Sequence, residues 1–289
     1  MGIDQRDELR AFLRSRRARL SPADVGLPAR GGRRRVPGLR REELALLAGV
    51  SVAYYTRLEQ GHGANVSAGV LEAIATALRL NPAERDHLTH LVRPAEAVPP
   101  RHRAAAAPPR VRPELRQLLD QLTHVPAFVS DSGLDVLAWN RPAALLLGDF
   151  AVLPPEDRNL ARMVFLDPAQ RELYVDWEAK AADLVAVLRR ESARRPDDPR
   201  LCALLAHLKE HSAAFRDLWA RHDVRDRAYG TKRFHHPTAG PLTLRYETLT
   251  LPQDPAQQLV TFHADPGTPS ESALHDLLSA EAVPVPARR

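Results

Sequence analysis

The sequence of 289 residues lacks the features of several common protein classes. Its single cysteine, Cys202, excludes an intramolecular disulfide framework and a multi-cysteine metal site, and it fits a reducing compartment. No stretch approaches the roughly 20 apolar residues that span a bilayer. The arginine-rich start also differs from a secretory signal. We therefore expect a cytoplasmic protein without a membrane partner.

Motifs that organise catalytic chemistry are also missing. The sequence has no glycine-rich phosphate loop, no nucleophile elbow and no metal-ligand spacing. His235 and His236 are neighbours on a predicted strand, so their side chains point to opposite faces and cannot easily share one ion. We expect no catalytic residue, no metal and no cofactor, and hence a protein that is not an enzyme.

Lysine is scarce, and positive charge is concentrated in one part of the chain. Lys180, Lys209 and Lys232 are the only lysines. Residues 1–110 hold 19 of the 41 basic side chains but 11 of the 36 acidic ones, a net charge of +8 within an overall +5. Such a surface favours phosphates, releases counterions and gives salt-sensitive binding. Double-stranded DNA is the partner that this distribution predicts.

Residues 40–61 predict two helices joined by a tight turn. Leu44, Leu47 and Ala48 recur at helical intervals on one face of the first helix. Gly49 fits the left-handed position where that helix ends. Ser51 is placed to cap a second helix that runs from Val52 to about Gln60. This is the pattern of a DNA-binding helix-turn-helix.

The second helix is expected to turn one face inward and the other toward DNA. Tyr55 and Leu58 share the inward face. Arg57 is the candidate for a bidentate contact with guanine, and apolar groups beside it can contact a thymine methyl group. The predicted DNA-binding residues are Arg41, Ser51, Val52, Ala53, Tyr54, Thr56 and Arg57, of which Tyr54 and Arg41 are expected to hold phosphates. An ordinary helical hairpin with solvated arginines is the alternative.

The flanking residues complete a five-helix unit. Asp7 to Leu20 predicts a first helix and Ser67 to Leu80 a fourth, while Asn81, Pro82 and Glu84 form the start of a fifth. Over residues 7–93 the chain resembles the Cro/C1 repressor-like helix-turn-helix domains of the XRE family. Many members have Gln where this chain has Arg41. The long connection before the motif contains Arg33, Arg34 and Arg35, which form either a DNA-contacting arm or a solvated basic loop.

The rear part of the chain predicts a different architecture. After a linker rich in Pro, Ala and Arg, residues 127–130 and 134–139 flank a turn at Asp-Ser-Gly. Residues 242–249 alternate with a period of two, and residues 231–235 and 258–263 are expected to pair with them. Several helices lie between these groups. The pattern indicates an α+β domain with one five-stranded antiparallel sheet and helices against one face, the shape of a PAS-like sensor.

Longer segments make the resemblance closer. They include VLAWNRPAALLLGD, DPAQRELYVDWEAKAADLVAVLRRE and GTKRFHHPTAGPLTLRYETL. These resemble the ligand-binding domain of the MmyB-like (MltR-type) transcription regulators, which place an XRE-type domain in front of a PAS-like sensor. The resemblance implies a DNA-binding regulator with a small apolar effector, and it suggests a fatty-acyl molecule. A rear domain that binds only protein is the alternative.

A sensor needs a concave, mostly apolar pocket with a few polar groups. The candidate ligand-binding residues are Phe128, Leu137, Trp139, Trp177, Phe234, His236 and Tyr246. Each of the aromatic residues alone fits an ordinary core equally well. His236 or His235 is expected beside the pocket mouth, hydrogen-bonded to a ligand carboxylate.

These patterns divide the chain into four segments. We predict an all-α helix-turn-helix domain over residues 1–93, a linker over 94–113, the PAS-like domain over 114–266 and a flexible tail over 267–289. Because one short helix reads only a few base pairs, we expect a homodimer on a palindromic site of nucleoid DNA.

Overall fold

The structure is a computed structural model that describes residues 4–28, 38–63, 66–93, 110–224 and 228–279. None of the helices in these ranges has the length and hydropathy needed to cross a membrane. The chain divides into two compact units. The N-terminal unit comprises Met1–Arg103 and Val185–Asp226, and the sheet unit comprises Ala104–Leu184 and Arg227–Arg289.

Within the described ranges the chain forms helices and five strands. The helices are α1 (Gln5–Arg19), α2 (Arg41–Leu47), α3 (Val52–Glu59), α4 (Ala68–Ala77), α5 (Pro82–Val92), α6 (Pro113–Gln121), α7 (Arg141–Leu147), α8 (Leu160–Leu166), α9 (Pro168–Leu173), α10 (Trp177–Arg194), α11 (Pro199–His211), α12 (Ala213–Ala220) and α13 (Pro269–Ser279). The strands are β1 (Ala127–Asp131), β2 (Val136–Trp139), β3 (Tyr229–His236), β4 (Gly240–Leu251) and β5 (Asp254–His263).

The five predicted N-terminal helices are all present, and side chains at their starts explain where they begin. The Ser51 hydroxyl accepts a hydrogen bond from the Tyr54 N–H at 3.1 Å. At the start of α5, Asn81 accepts from the Glu84 N–H at 2.9 Å, and Glu84 accepts from the Asn81 N–H at 3.1 Å. Each cap satisfies a backbone donor that the helix leaves free, and contributes about 1 kcal/mol.

One predicted inward residue of α2 lies outside the core. Leu44, Ala45 and Ala48 are buried, whereas Leu47 is 36% exposed and Leu46 is 72% exposed. The helix is short, and Ala45 lies where the neighbouring helices come closest to α2. The inward face of α2 is therefore set by Leu44, Ala45 and Ala48, and the prediction for Leu47 was wrong.

Two buried arginines join α1 to the later helices of the N-terminal unit. The Arg189 guanidinium on α10 is fully buried, forms an ion pair with Glu8 and donates to the Trp219 carbonyl. Arg16 on α1 lies 3.0 Å from Glu84 and donates to the His222 carbonyl. Ala193 and Val224 also belong to the apolar core that α1 to α5 form. Residues 185–226 thus pack with the DNA-binding helices, although their sequence is continuous with the rear domain.

The sheet of the other unit has the predicted five antiparallel strands. Their order is β2-β1-β5-β4-β3, with β1 paired to β2 and to β5, and β4 between β5 and β3. The register between β1 and β2 shifts between Val129 and Ser130. Asn140 caps α7, as predicted, through a hydrogen bond from the Ala143 N–H at 2.9 Å.

Helices cover both faces of this sheet rather than one. On one face, Leu115 and Leu119 of α6 pack against Ala127 and Val129 of β1, in a group that we call the α6 cluster. On the other face, Phe128 of β1 packs against Phe150. Consecutive strand residues point to opposite sides, so both faces of β1 are apolar and each requires a cover.

The structure corrects two boundaries. We expected a flexible tail from residue 267, but residues 269–279 form α13, which buries Leu274 and Leu278. We also expected the last strand to begin at residue 258, whereas β5 begins at Asp254. Strand β4 ends at Leu251 and pairs with Asp254, so only two residues turn the chain. Short-range patterns missed α13 because its packing partner, β4, is distant in sequence.

The buried His87 predicts an acid-sensitive N-terminal unit. Its ring lies 5.0 Å from that of Phe12, and neither ring nitrogen has a hydrogen-bond partner among the described residues. Burial, followed by the charge of Arg16, lowers the pKa of His87 to about 3. In the unfolded chain the ring takes up a proton near its ordinary pKa of 6.5, so stability falls as pH drops from 6.5 toward 3. Protonation of this one residue lowers the free energy of unfolding by at most about 1.4 kcal/mol per pH unit.

We therefore expect His87→Leu to flatten the pH dependence of the urea-unfolding free energy below pH 6.5 without lowering stability at pH 7. Burial also lowers the pKa of His222, to about 4. In the His87→Leu variant, His222 therefore still makes the unfolding free energy fall with falling pH. An unchanged slope in His87→Leu would show that His87 is not buried as a neutral ring.

Candidate DNA-binding surface and effector site

Helix α3 separates its side chains into a buried and an exposed set. Tyr55 and Leu58 are buried, as the sequence predicts. Val52, Ala53, Tyr54 and Arg57 are exposed, and Thr56 is half-buried. The exposed set forms the outer face of the second helix of the motif, where a major groove can receive it.

Ser51 and Arg41, which were also predicted to contact DNA, each have an internal partner. The Ser51 hydroxyl caps α3, although the residue itself is exposed. Arg41 at the start of α2 forms an ion pair with Glu59, and its side chain remains 46% exposed. Its outer guanidinium nitrogens therefore remain on the surface. Arg33, Arg34 and Arg35 lie outside the described residues.

Glu59 supports this surface from the interior, and the sequence analysis did not identify it. Its buried carboxylate accepts from Arg17 Nε at 2.7 Å, from the Tyr55 hydroxyl at 3.2 Å and from Arg41. It thereby joins α1, α2 and α3. Although burial acts in the opposite direction, the hydrogen bonds from Arg17 and Arg41 hold the pKa of Glu59 below its ordinary value. A carboxylate at the end of a helix gave no local signal, since its partners come from three helices.

We expect Glu59→Gln to destabilise the N-terminal unit by on the order of 3 kcal/mol, because the half-buried Arg17 would lose its buried anion. Thermal and urea unfolding measure the change. Glu42→Gln is the matched control, since Glu42 is an exposed carboxylate of α2 whose ion pair with Arg40 is worth at most about 1 kcal/mol. Equal effects of the two substitutions would contradict the anchoring role of Glu59.

Four of the predicted ligand-binding residues lie in one aromatic cluster of the sheet unit. Ring centroids are 5.3 Å apart for Trp139 and Phe150, 6.3 Å for Phe150 and Phe128, 6.4 Å for Phe128 and Phe262, 5.9 Å for Phe262 and Phe234, 6.4 Å for Phe262 and Tyr246, and 5.2 Å for Phe234 and Tyr174. We call these seven residues the aromatic cluster. Phe262 is its centre, and sequence reasoning missed it, as it did Phe150 and Tyr174.

The other three predicted ligand-binding residues lie in different surroundings. Trp177 donates from Nε1 to the Val164 carbonyl at 2.9 Å and stacks under Arg171. Leu137 packs against the α6 cluster, next to the register shift between β1 and β2.

His236 is held by the backbone. Its Nε2 lies 2.9 Å from the Leu145 carbonyl, and its Nδ1 accepts from the Ala239 N–H at 3.1 Å. This pattern assigns the proton to Nε2. Both nitrogens are therefore used inside the protein, so the expected bond to a ligand carboxylate has no free atom on this ring. His235, its neighbour on β3, is exposed, as opposite strand faces require. Within the described ranges no three His, Cys, Asp or Glu side chains are grouped to hold a metal ion.

Comparisons with known proteins agree with this geometry. A model of the helix-turn-helix domain matches residues 8–88, which contain α2 and α3. A model of the MmyB-like transcription regulator ligand binding domain matches residues 111–278, more than half of the chain. No curated protein matches the chain. The chain is a DNA-binding transcription regulator with a ligand-binding domain, and it belongs to the family of MmyB-like transcription regulators.

Proposed function

We propose that the exposed face of α3 reads the major groove of duplex DNA. Arg57 pairs with a guanine, Val52 and Ala53 contact the neighbouring base edges, and Tyr54 and Arg41 hold phosphates. The observation that carries this proposal is the segregation on α3. Tyr55, Leu58 and Glu59 are buried, while Val52, Ala53, Tyr54 and Arg57 are exposed. A helix whose inner face is fully occupied can present its outer face without exposing core.

We propose further that the regulator acts as a homodimer at the nucleoid, in the cytoplasm. Helix α3 has eight residues and reaches only a few base pairs. Two copies on a palindromic site would multiply specificity, because each half-site contributes its own discrimination.

For the sheet unit we propose that an apolar effector, of the fatty-acyl type, binds at the aromatic cluster. Rings of this kind offer a large apolar area with a few polar edges. Phe128 and Phe234 are buried against other rings, so the effector would insert by separating side chains that otherwise contact each other. Its action on DNA binding requires a different affinity for the DNA-bound and free states. We propose no catalytic step for this site.

A second candidate function for the sheet unit is protein contact. Tyr229 on β3 is 72% exposed and lies opposite Glu247, and Leu249, two residues farther along β4, is 52% exposed. The two apolar side chains are diagonal neighbours on one face of the sheet. An exposed apolar pair of this kind is more typical of a surface that contacts a protein partner than of a surface that faces water.

We expect Arg57→Ala to weaken specific DNA binding by about 1–3 kcal/mol and to relax discrimination at one base position. Selection from a random duplex library, followed by titration at fixed salt, measures both. Arg14→Ala is the matched control, because Arg14 is an exposed arginine of α1. If Arg57→Ala leaves the binding-site profile unchanged, Arg57 does not contact the bases.

The position of the effector can be tested with the chain's three tryptophans. In Trp177→Phe/Trp219→Phe the remaining Trp139 belongs to the aromatic cluster, so a medium-chain fatty acid should change its emission saturably. The control variant Trp139→Phe/Trp177→Phe leaves Trp219, which stacks on Phe215 at 5.5 Å in the N-terminal unit. A saturable signal from Trp219 without one from Trp139 would place the effector elsewhere.

A further inference from the structure

Two of the chain's three lysines lie at the edge of the aromatic cluster. Lys232 on β3 has its Nζ 5.1 Å from the ring centroid of Tyr246, and Lys180 on α10 has its Nζ 5.5 Å from that of Tyr174. Lys232 also forms an ion pair with Asp183 at 2.8 Å. Asp183 follows Lys180 by three residues on α10, so the two side chains share a helix face. Lys180, Asp183 and Lys232 therefore form one group beside the two tyrosines.

Lys180 differs from Lys232 in having no counter-ion within the part of the chain that the structure describes. Among the described residues, its Nζ forms neither a hydrogen bond nor an ion pair, and the side chain is half-buried. The charged groups that act on it are Lys232 from β3 and Asp183 from its own helix. Asp183 is already engaged by Lys232. The site thus holds an amine that none of the described side chains neutralises by pairing.

The state of this amine follows from its surroundings. Burial, followed by the charge of Lys232, lowers the pKa of Lys180 to about 7, and the charge of Asp183 opposes this shift. Near neutral pH about half of the Lys180 side chains would carry the free amine, compared with fewer than one in about a thousand for an ordinary lysine. A neutral amine beside a second cation is an arrangement that makes lysine a nucleophile toward carbonyl groups.

We propose that Lys180 captures apolar aldehydes as an imine, with the aliphatic part of the aldehyde against the aromatic cluster. The free Nζ attacks the carbonyl carbon, a C–N bond forms, and the carbonyl π pair moves to oxygen. Proton transfer from nitrogen to oxygen gives a carbinolamine. Its hydroxyl takes a second proton and leaves as water while the nitrogen lone pair forms the C=N bond, and the resulting iminium returns one proton to the group that supplied it. One aldehyde and one amine give one imine and one water, without oxidation or reduction. The Lys232 ammonium, fixed by Asp183, supplies the proton for water loss.

The experiment is reductive trapping on the full chain. The protein is incubated with hexanal and sodium cyanoborohydride from pH 6 to 9, and the alkylated lysine is identified by peptide mass mapping. We expect Lys180 to be labelled about tenfold faster than Lys209 at pH 7, with a half-maximal rate near pH 7. Lys209 is a strict internal control, since its Nζ also lies against a ring, 4.9 Å from the centroid of Trp219, and burial also lowers its pKa.

Substitutions of the lysines distinguish the role of the Lys180 amine as a nucleophile from the role of its positive charge. Lys180→Arg keeps a cation but removes the nucleophile, so it should abolish the fast label, whereas Lys209→Arg should leave it unchanged. Lys232→Met should slow the label and move its pH profile upward, because the neighbouring cation and the proton donor are both lost.

Equal labelling of the lysines, or a Lys180 rate that rises only near pH 10, would overturn the proposal. So would protection of the protein by hexanoate against thermal unfolding without any hexanal label, since that result means ionic binding alone. The inference rests on the proposed effector site, but the label is measured without DNA. A failed label therefore refutes covalent capture only, and a Trp139 emission that no fatty acid changes refutes the effector site itself.

Discussion

The N-terminal unit depends on two guanidinium groups that are buried inside it. Arg16 and Arg189 are almost completely removed from water, and each has a carboxylate partner on another helix. A buried cation without its partner costs several kcal/mol, so these pairs fix which helices must be present together. Glu8 and Glu84 come from the helix-turn-helix region, whereas Arg189 comes from a helix far along the chain. The compact unit around α3 is consequently built from two separate stretches of sequence.

The same physical logic operates closer to the DNA-binding face. Glu59 is buried at the end of α3 and is satisfied by groups from α1, α2 and α3 itself. This anchor holds the inner side of α3 through charge-assisted hydrogen bonds, which are more directional than apolar packing. The outer side is left to small and basic side chains. A rigid support with an exposed opposite face is what recognition of a groove requires.

The sheet unit combines an apolar interior with a polar edge. Phe262 contacts three other rings, from β1, β3 and β4, so a single residue of the central strand connects the cluster. Lys180, Lys232 and Asp183 stand beside two of its tyrosines. A site of this composition can accept a molecule with an apolar body and one reactive or polar end. In contrast, both ring nitrogens of His236 form hydrogen bonds with the backbone, and the residue connects β3 to the end of α7.

Local patterns determined much of this protein. The caps at Ser51 and Asn81, the turn at Gly49, the inward positions of α3 and the strands of the sheet all follow from interactions within a few residues, and the structure confirms them. Local patterns failed where the partner is distant. Leu47 has a helical period but faces outward, α13 has a weak pattern yet packs on the sheet unit, and Leu137 joins the α6 cluster because the strand register shifts beside it.

Local sequence patterns were enough to predict most of the elements, the two kinds of architecture and the exposed face of α3, because periodicity and capping are properties of neighbouring residues. Tertiary contacts, in contrast, determine that Glu59 anchors three helices, that residues 185–226 pack with the N-terminal helices, and that Lys180 lies beside the aromatic cluster with no counter-ion among the described residues. Burial and pairing of charges depend on residues brought together from distant parts of the chain, and no local pattern encodes them.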